Sequence, residues 1–158
     1  MDKIDELLGG YDAQLAADKR AKSEKEVAEA QFADEFQRHA AAFIEPTLKN
    51  MATRLEARGH GCRVSFSPYQ KGAMRSGYPE VRVVIDLKGK PSAGSANTLR
   101  FIGEIGSKTV SVHRSTAGGS GGDSRQHKLA AVDVALIETI FAQWLKDVID
   151  QRHPTINH

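Results

Sequence analysis

The feature that most restricts this fold is a change of hydrophobic period across Gly59. Before it, Phe32, Phe36, Ala40 and Phe43 recur at helical spacing, followed by Leu48, Met51, Ala52 and Leu55. Such stripes mark helices with one buried face. After it, apolar and polar residues alternate. Val64 and Phe66 alternate with Arg63 and Ser65. Val81, Val83, Ile85 and Leu87 alternate with Arg82, Val84, Asp86 and Lys88. Leu99, Phe101 and Ile105 alternate with Arg100, Ile102 and Glu104, and Val110 and Val112 with Ser111 and His113. Four alternating segments predict an antiparallel meander with one wet face.

The third and fourth segments also specify their register. Gly106-Ser107 suits a two-residue type II′ turn, which takes glycine first. That turn pairs Ile105 with Lys108, Gly103 with Val110, Phe101 with Val112 and Leu99 with Arg114. On the other face it sets Ile102 against Ser111 and Arg100 against His113. Turn and apolar pattern agree on one register. The other connections, 68–79, 88–97 and 115–128, are long, rich in turn residues and without a period.

The ends of the chain read as helical. Asp133 can cap a helix carrying Leu136, Ile137, Ile140, Phe141, Trp144, Leu145, Val148 and Ile149, the widest apolar stripe in the chain. This helix is expected to cover one sheet face, with Trp144 buried. Pro46 either kinks the helix before it or opens a second one. Near the start, Gly9-Gly10 should interrupt a short helix over 2–8, since each glycine costs about 1 kcal/mol in a helix interior. Residues 12–31 are rich in Ala, Glu and Lys, with only Leu15 and Val27 large and aliphatic. A self-sufficient coiled coil needs apolar positions over several heptads, and these are missing. Ser23 and Glu26 form a capping box, so the firm helix is expected to start at Ser23. The expected organisation is a mobile or intermittently helical tail over 1–22 and a single α+β domain over 23–158. That domain has a helical N-terminal region, a four-stranded antiparallel sheet and a C-terminal helix packed on one sheet face.

Composition excludes several classes. At 158 residues, 40% hydrophobic and 27% charged, the chain has the profile of one ordinary globular domain. The lone Cys62 excludes an intrachain disulfide. The opening MDKIDELLGG has no apolar core, so a secretory signal is not expected. No apolar run reaches the roughly 18 residues of a membrane span. A cytoplasmic location without membrane partners is the expectation. Net charge is +2 but unevenly spread. Residues 1–60 hold nine Lys/Arg against twelve Asp/Glu, a net −3. Residues 61–128 hold eleven against four, a net +7. Residues 129–158 hold two against four, a net −2.

No motif carries chemistry. Residues 118–122, Gly-Gly-Ser-Gly-Gly, fit the string G-x-S-x-G. A nucleophile elbow, however, needs a strand-to-helix turn in a parallel sheet. The same loop lacks the P-loop pattern, and reads as either a linker or an anion site. His60-Gly61-Cys62 is the one close His/Cys pair, with no second cluster to complete a zinc site. No cofactor, no metal and no catalytic residue is expected. What remains is a basic sheet face. If the apolar positions face the helices, Arg63, Arg82, Lys88, Arg100 and His113 share the opposite side. Lys71 and Arg75, interleaved with Tyr69 and Tyr78, lie in the first loop. Cations there could neutralise phosphates, and tyrosines could stack on bases. Asp86 and Glu104 supply counter-charge.

The order helix, strands, helix is similar to that of double-stranded-RNA-binding domains, without the basic helix N-terminus those domains use. The stretch FIEPTLKNMATRLEARGHGCRV, with the meander and glycine loop after it, resembles small bacterial proteins of uncharacterised function. That resemblance implies neither an activity nor a site. The reading reached is a non-catalytic protein-interaction module whose partner is another protein or its own copy. The alternative is nucleic-acid binding through the basic face and first loop.

Overall fold

The computed structural model describes residues 2–89, 97–117 and 123–151. The chain is α+β, as the change of period predicts. Helix α1 runs Lys3–His39 without a break. It passes through Gly9-Gly10 and starts well before Ser23, correcting both expectations. Asp2 explains the early start: its carboxylate accepts from the amides of Ile4 and Asp5. Asp5 and Glu6 add favourable charge in the first turn. Together with the Ala-rich stretch that follows, these offset the cost of two glycines.

Pro46 opens a second helix, α2, Glu45–Glu56, after a five-residue π-helical turn at Ala40–Ile44. Proline at position 46 has no N–H to donate, and its ring crowds the carbonyl four residues earlier. The widened turn, in which the Glu45 amide donates to the Ala40 carbonyl, accommodates that crowding.

The sheet is an antiparallel meander of five strands in sequence order. They are β1 Gly61–Ser67, β2 Glu80–Asp86, β3 Thr98–Glu104, β4 Thr109–Ser115 and β5 Asp123–His127. The fifth is a correction to the expected four. Its sequence, DSRQH, has no apolar alternation and is mostly exposed, so it lacks the period that marks the others. The β3–β4 register is the one expected: Leu99 opposite Arg114, Phe101 opposite Val112, Gly103 opposite Val110 and Arg100 opposite His113. The turn differs. Glu104 and Thr109 close a four-residue loop, and Lys108 rather than Gly106 takes the positive φ, at 57°. Its amide donates to the Glu104 carbonyl.

One sheet face carries Cys62, Val81, Val83, Ile85, Leu99, Phe101, Val110 and Val112, all buried. Against it lie Phe32, Ala33 and Phe36 of α1, Leu48, Ala52 and Leu55 of α2, and helix α3, Val134–Asp150. Asp133 caps α3 through the Leu136 amide, as its position predicts. Trp144 is fully buried, and its indole N–H donates to the Ser115 carbonyl at 3.0 Å. His39 at the end of α1 bonds through Nε2 to the Val132 carbonyl, joining α1 to the entry of α3. Gly103 is required where α1 crosses β3. A Cβ there would stand 2.9 Å from Phe36 Cγ and 3.1 Å from Pro79 Cγ.

Candidate functional site

The sheet face away from the helices brings four of the expected residues together. Cross-strand register sets Ser65, Arg82, Arg100, His113 and Ser124 in one row. The next row reads Ser67, Glu80, Ile102, Ser111 and Gln126. Arg63, opposite Val84, lies in the row on the other side of Arg82, away from Glu80.

The charges on this face are largely paired. Glu80 accepts from Arg100 Nε at 2.6 Å and from Arg82 at 3.3 Å. Glu104, buried, accepts from Ser111 Oγ at 2.7 Å and from Arg75 at 2.5 Å. Among the described residues, Arg63 is exposed and has no ion pair. Glu80 precedes Val81, where the apolar alternation begins, so the hydrophobic pattern does not mark it as part of the strand. Its parity with Arg82 was the signal that could have found it. His113 responds to this setting: partial burial, then Arg100 and Arg75, hold its imidazole below the ordinary pKa. Buried Ile102 sits on this face, outside the main core.

The first loop does not present its residues to the same surface. Tyr69 and Tyr78 are half-buried and pack against the core, so neither is a free stacking platform. Lys71 pairs with Glu26 of α1 at 3.4 Å. Arg75 alone reaches the open-face charges, through Glu104. Lys88 departs furthest from expectation. Strand β2 ends at Asp86, and Gly89 takes a positive φ of 84°. The chain turns there, and the Lys88 amide donates to His60 Nδ1 at 3.0 Å. Lys88 then lies with Arg54, Arg58 and His60 on the helical side, not among the strand arginines.

Cys62 is buried, and burial followed by Glu56 pushes its thiol up to about 11, so it stays protonated and unreactive. No group of His, Cys, Asp or Glu suited to a metal occurs among the described residues. Among them, no helix is long and apolar enough to cross a membrane. The glycine loop 118–122 lies outside the described residues.

The surface that sequence reasoning missed is on α1. Every residue over 2–25 is exposed. Yet Ile4, Leu7, Leu8, Tyr11 and Leu15 are large apolar side chains, 48% to 64% exposed. At 3.6 residues per turn they fall within an arc of about 100°. Phe32, Ala33 and Phe36, which pack on the body, lie on the same side of the helix. The spacing was visible in the sequence, but the expected break at Gly9-Gly10 divided the stripe. No known family pattern, curated protein or solved structure matches this chain.

Proposed function

We propose that this chain is a non-catalytic protein-association module, and that α1 pairs antiparallel with α1 of a second copy. The observation that carries the reading is the exposed stripe Ile4, Leu7, Leu8, Tyr11 and Leu15, on a helix with no body beneath it. Large apolar groups held together in water favour burial against a partner. Charge favours a second copy. Asp2, Asp5, Glu6, Asp12 and Asp18 stand against Lys3 at the tip; Lys19, Arg20, Lys22 and Lys25 follow against Glu24. An antiparallel pair centred on Tyr11 sets Leu7 against Leu15 of the other copy, and Asp2, Asp5 and Glu6 of the tip alongside its Lys19 and Arg20. A parallel pair would set like charges together. Two heptads make a short seam, so association is reversible and concentration-dependent.

Sedimentation velocity over a concentration series tests this. A monomer–dimer equilibrium is expected, abolished by Leu8→Glu with Leu15→Glu. Charge reversal at Asp5→Lys and Glu6→Lys should weaken it, and adding Lys19→Glu and Arg20→Glu should restore it. A chain that stays monomeric at every concentration refutes the proposal.

Nucleic-acid binding is the second reading. It is supported by the adjacent Arg82, Arg100 and His113 and by exposed Arg63. Glu80 and Glu104 count against it, since cations already paired release fewer counterions on meeting phosphate. Oligonucleotide titration at low salt, repeated with Arg63→Ala and Arg100→Ala, separates the two readings.

A further inference from the structure

A cavity of about 710 Å³ opens between α2, α3 and the adjoining ends of β1 and β2. Its floor is hydrocarbon: Leu55, Leu87, Phe141 and Leu145. Its rim is cationic. Arg54 and Arg58, four residues apart, stand with Lys88, and Glu138 is the one acid lining the cavity among the described residues. None of the three cations makes an ion pair among the described residues. His60 adds a donor. Its Nδ1 accepts the Lys88 amide, so the neutral ring carries its proton on Nε2.

We infer that this cavity binds a straight-chain monocarboxylate, with the alkyl chain on the apolar floor and the carboxylate among Arg54, Arg58 and Lys88. The volume falls within the range of about 300–1,000 Å³ typical of small-molecule sites. The polar groups of the lining side chains are those of the charged residues and His60. A peptide laid on this floor would bury amides with no partner, a cost that an alkyl chain avoids. Guanidinium groups match a carboxylate in geometry as well as charge. The site does not depend on pairing through α1, from which it is separate in sequence and in packing.

Calorimetric titration with octanoate, decanoate and dodecanoate, each below its micelle concentration, tests the assignment. Affinity should rise about fourfold per added methylene, from roughly 0.8 kcal/mol for each buried CH2. Arg58→Gln with Lys88→Gln should weaken dodecanoate at least about tenfold and leave dodecanol unchanged. Ala142→Phe, at an exposed lining position, should block both ligands. Unchanged Trp144 emission and melting temperature would show each variant to be folded. The inference is overturned by absence of binding, by affinity independent of chain length, or by dodecanol binding as tightly as dodecanoate. It is also overturned if a Glu/Leu peptide displaces dodecanoate with higher affinity.

Discussion

Single atoms decide several features of this molecule. Gly103 lets a helix cross a strand at a distance no side chain would permit. Phe36 presents the base of its ring rather than a flexible end, so Gly103→Ala has to move a fully buried aromatic. Overpacking of this kind costs about 1–3 kcal/mol. The expected result is a lower urea midpoint with an unchanged slope, and an unaltered midpoint would show that α1 can shift freely. His113 yields a pH dependence. Unfolded, it titrates near its ordinary 6.5; folded, burial and its arginine neighbours hold it lower. Below 6.5 the unfolded chain therefore binds more protons, so this group adds stability above 6.5 that is lost as pH falls towards the lower folded value. Melting curves from neutral to mildly acidic pH should be flatter for His113→Gln than for the natural chain. A slope identical in both would place the effect on another histidine.

At the scale of elements, the strands with clear alternation were legible, and so was the β3–β4 register, because a slip of one residue would turn every Val and Phe to the wrong face. Strand β5 was not, since an exposed edge pairs through its backbone and needs no apolar face. The strand limits mattered for the site: one residue added to β2 brings Glu80 beside the arginines it neutralises. Helix α1 was hidden by local propensity, which weighs each glycine but not the cap that starts the helix. A Cβ at Gly9 or Gly10 would meet nothing within 4 Å, and both positions lie off the apolar stripe. Gly9→Ala with Gly10→Ala should therefore gain about 1 kcal/mol of helix stability per site. Far-UV circular dichroism should show more helix, and the monomer–dimer constant should tighten. Weaker association would mean that the partner helix approaches along the glycines rather than the leucines.

For the whole molecule, the disposition of charge matters more than its total. From Glu26, which pairs with Lys71 of the body, to Ile4 the helix extends about 33 Å at 1.5 Å per residue. The Debye length at physiological salt is about 8 Å. The acidic tip and the basic sheet region are thus electrically independent, and a net +2 describes neither. A chromatographic surface samples whichever end it attracts. Near neutral pH and about 0.1 M salt, where the Debye length is still about 10 Å, the protein should be retained on both anion and cation exchangers. Leu8→Glu with Leu15→Glu, by adding acid at the tip, should delay elution from the first and leave the second unchanged. Equal shifts on both columns would mean that the tip lies folded against the body. A rod clamped at one end thus gives a small chain two separate electrostatic addresses, each able to meet a different surface at once.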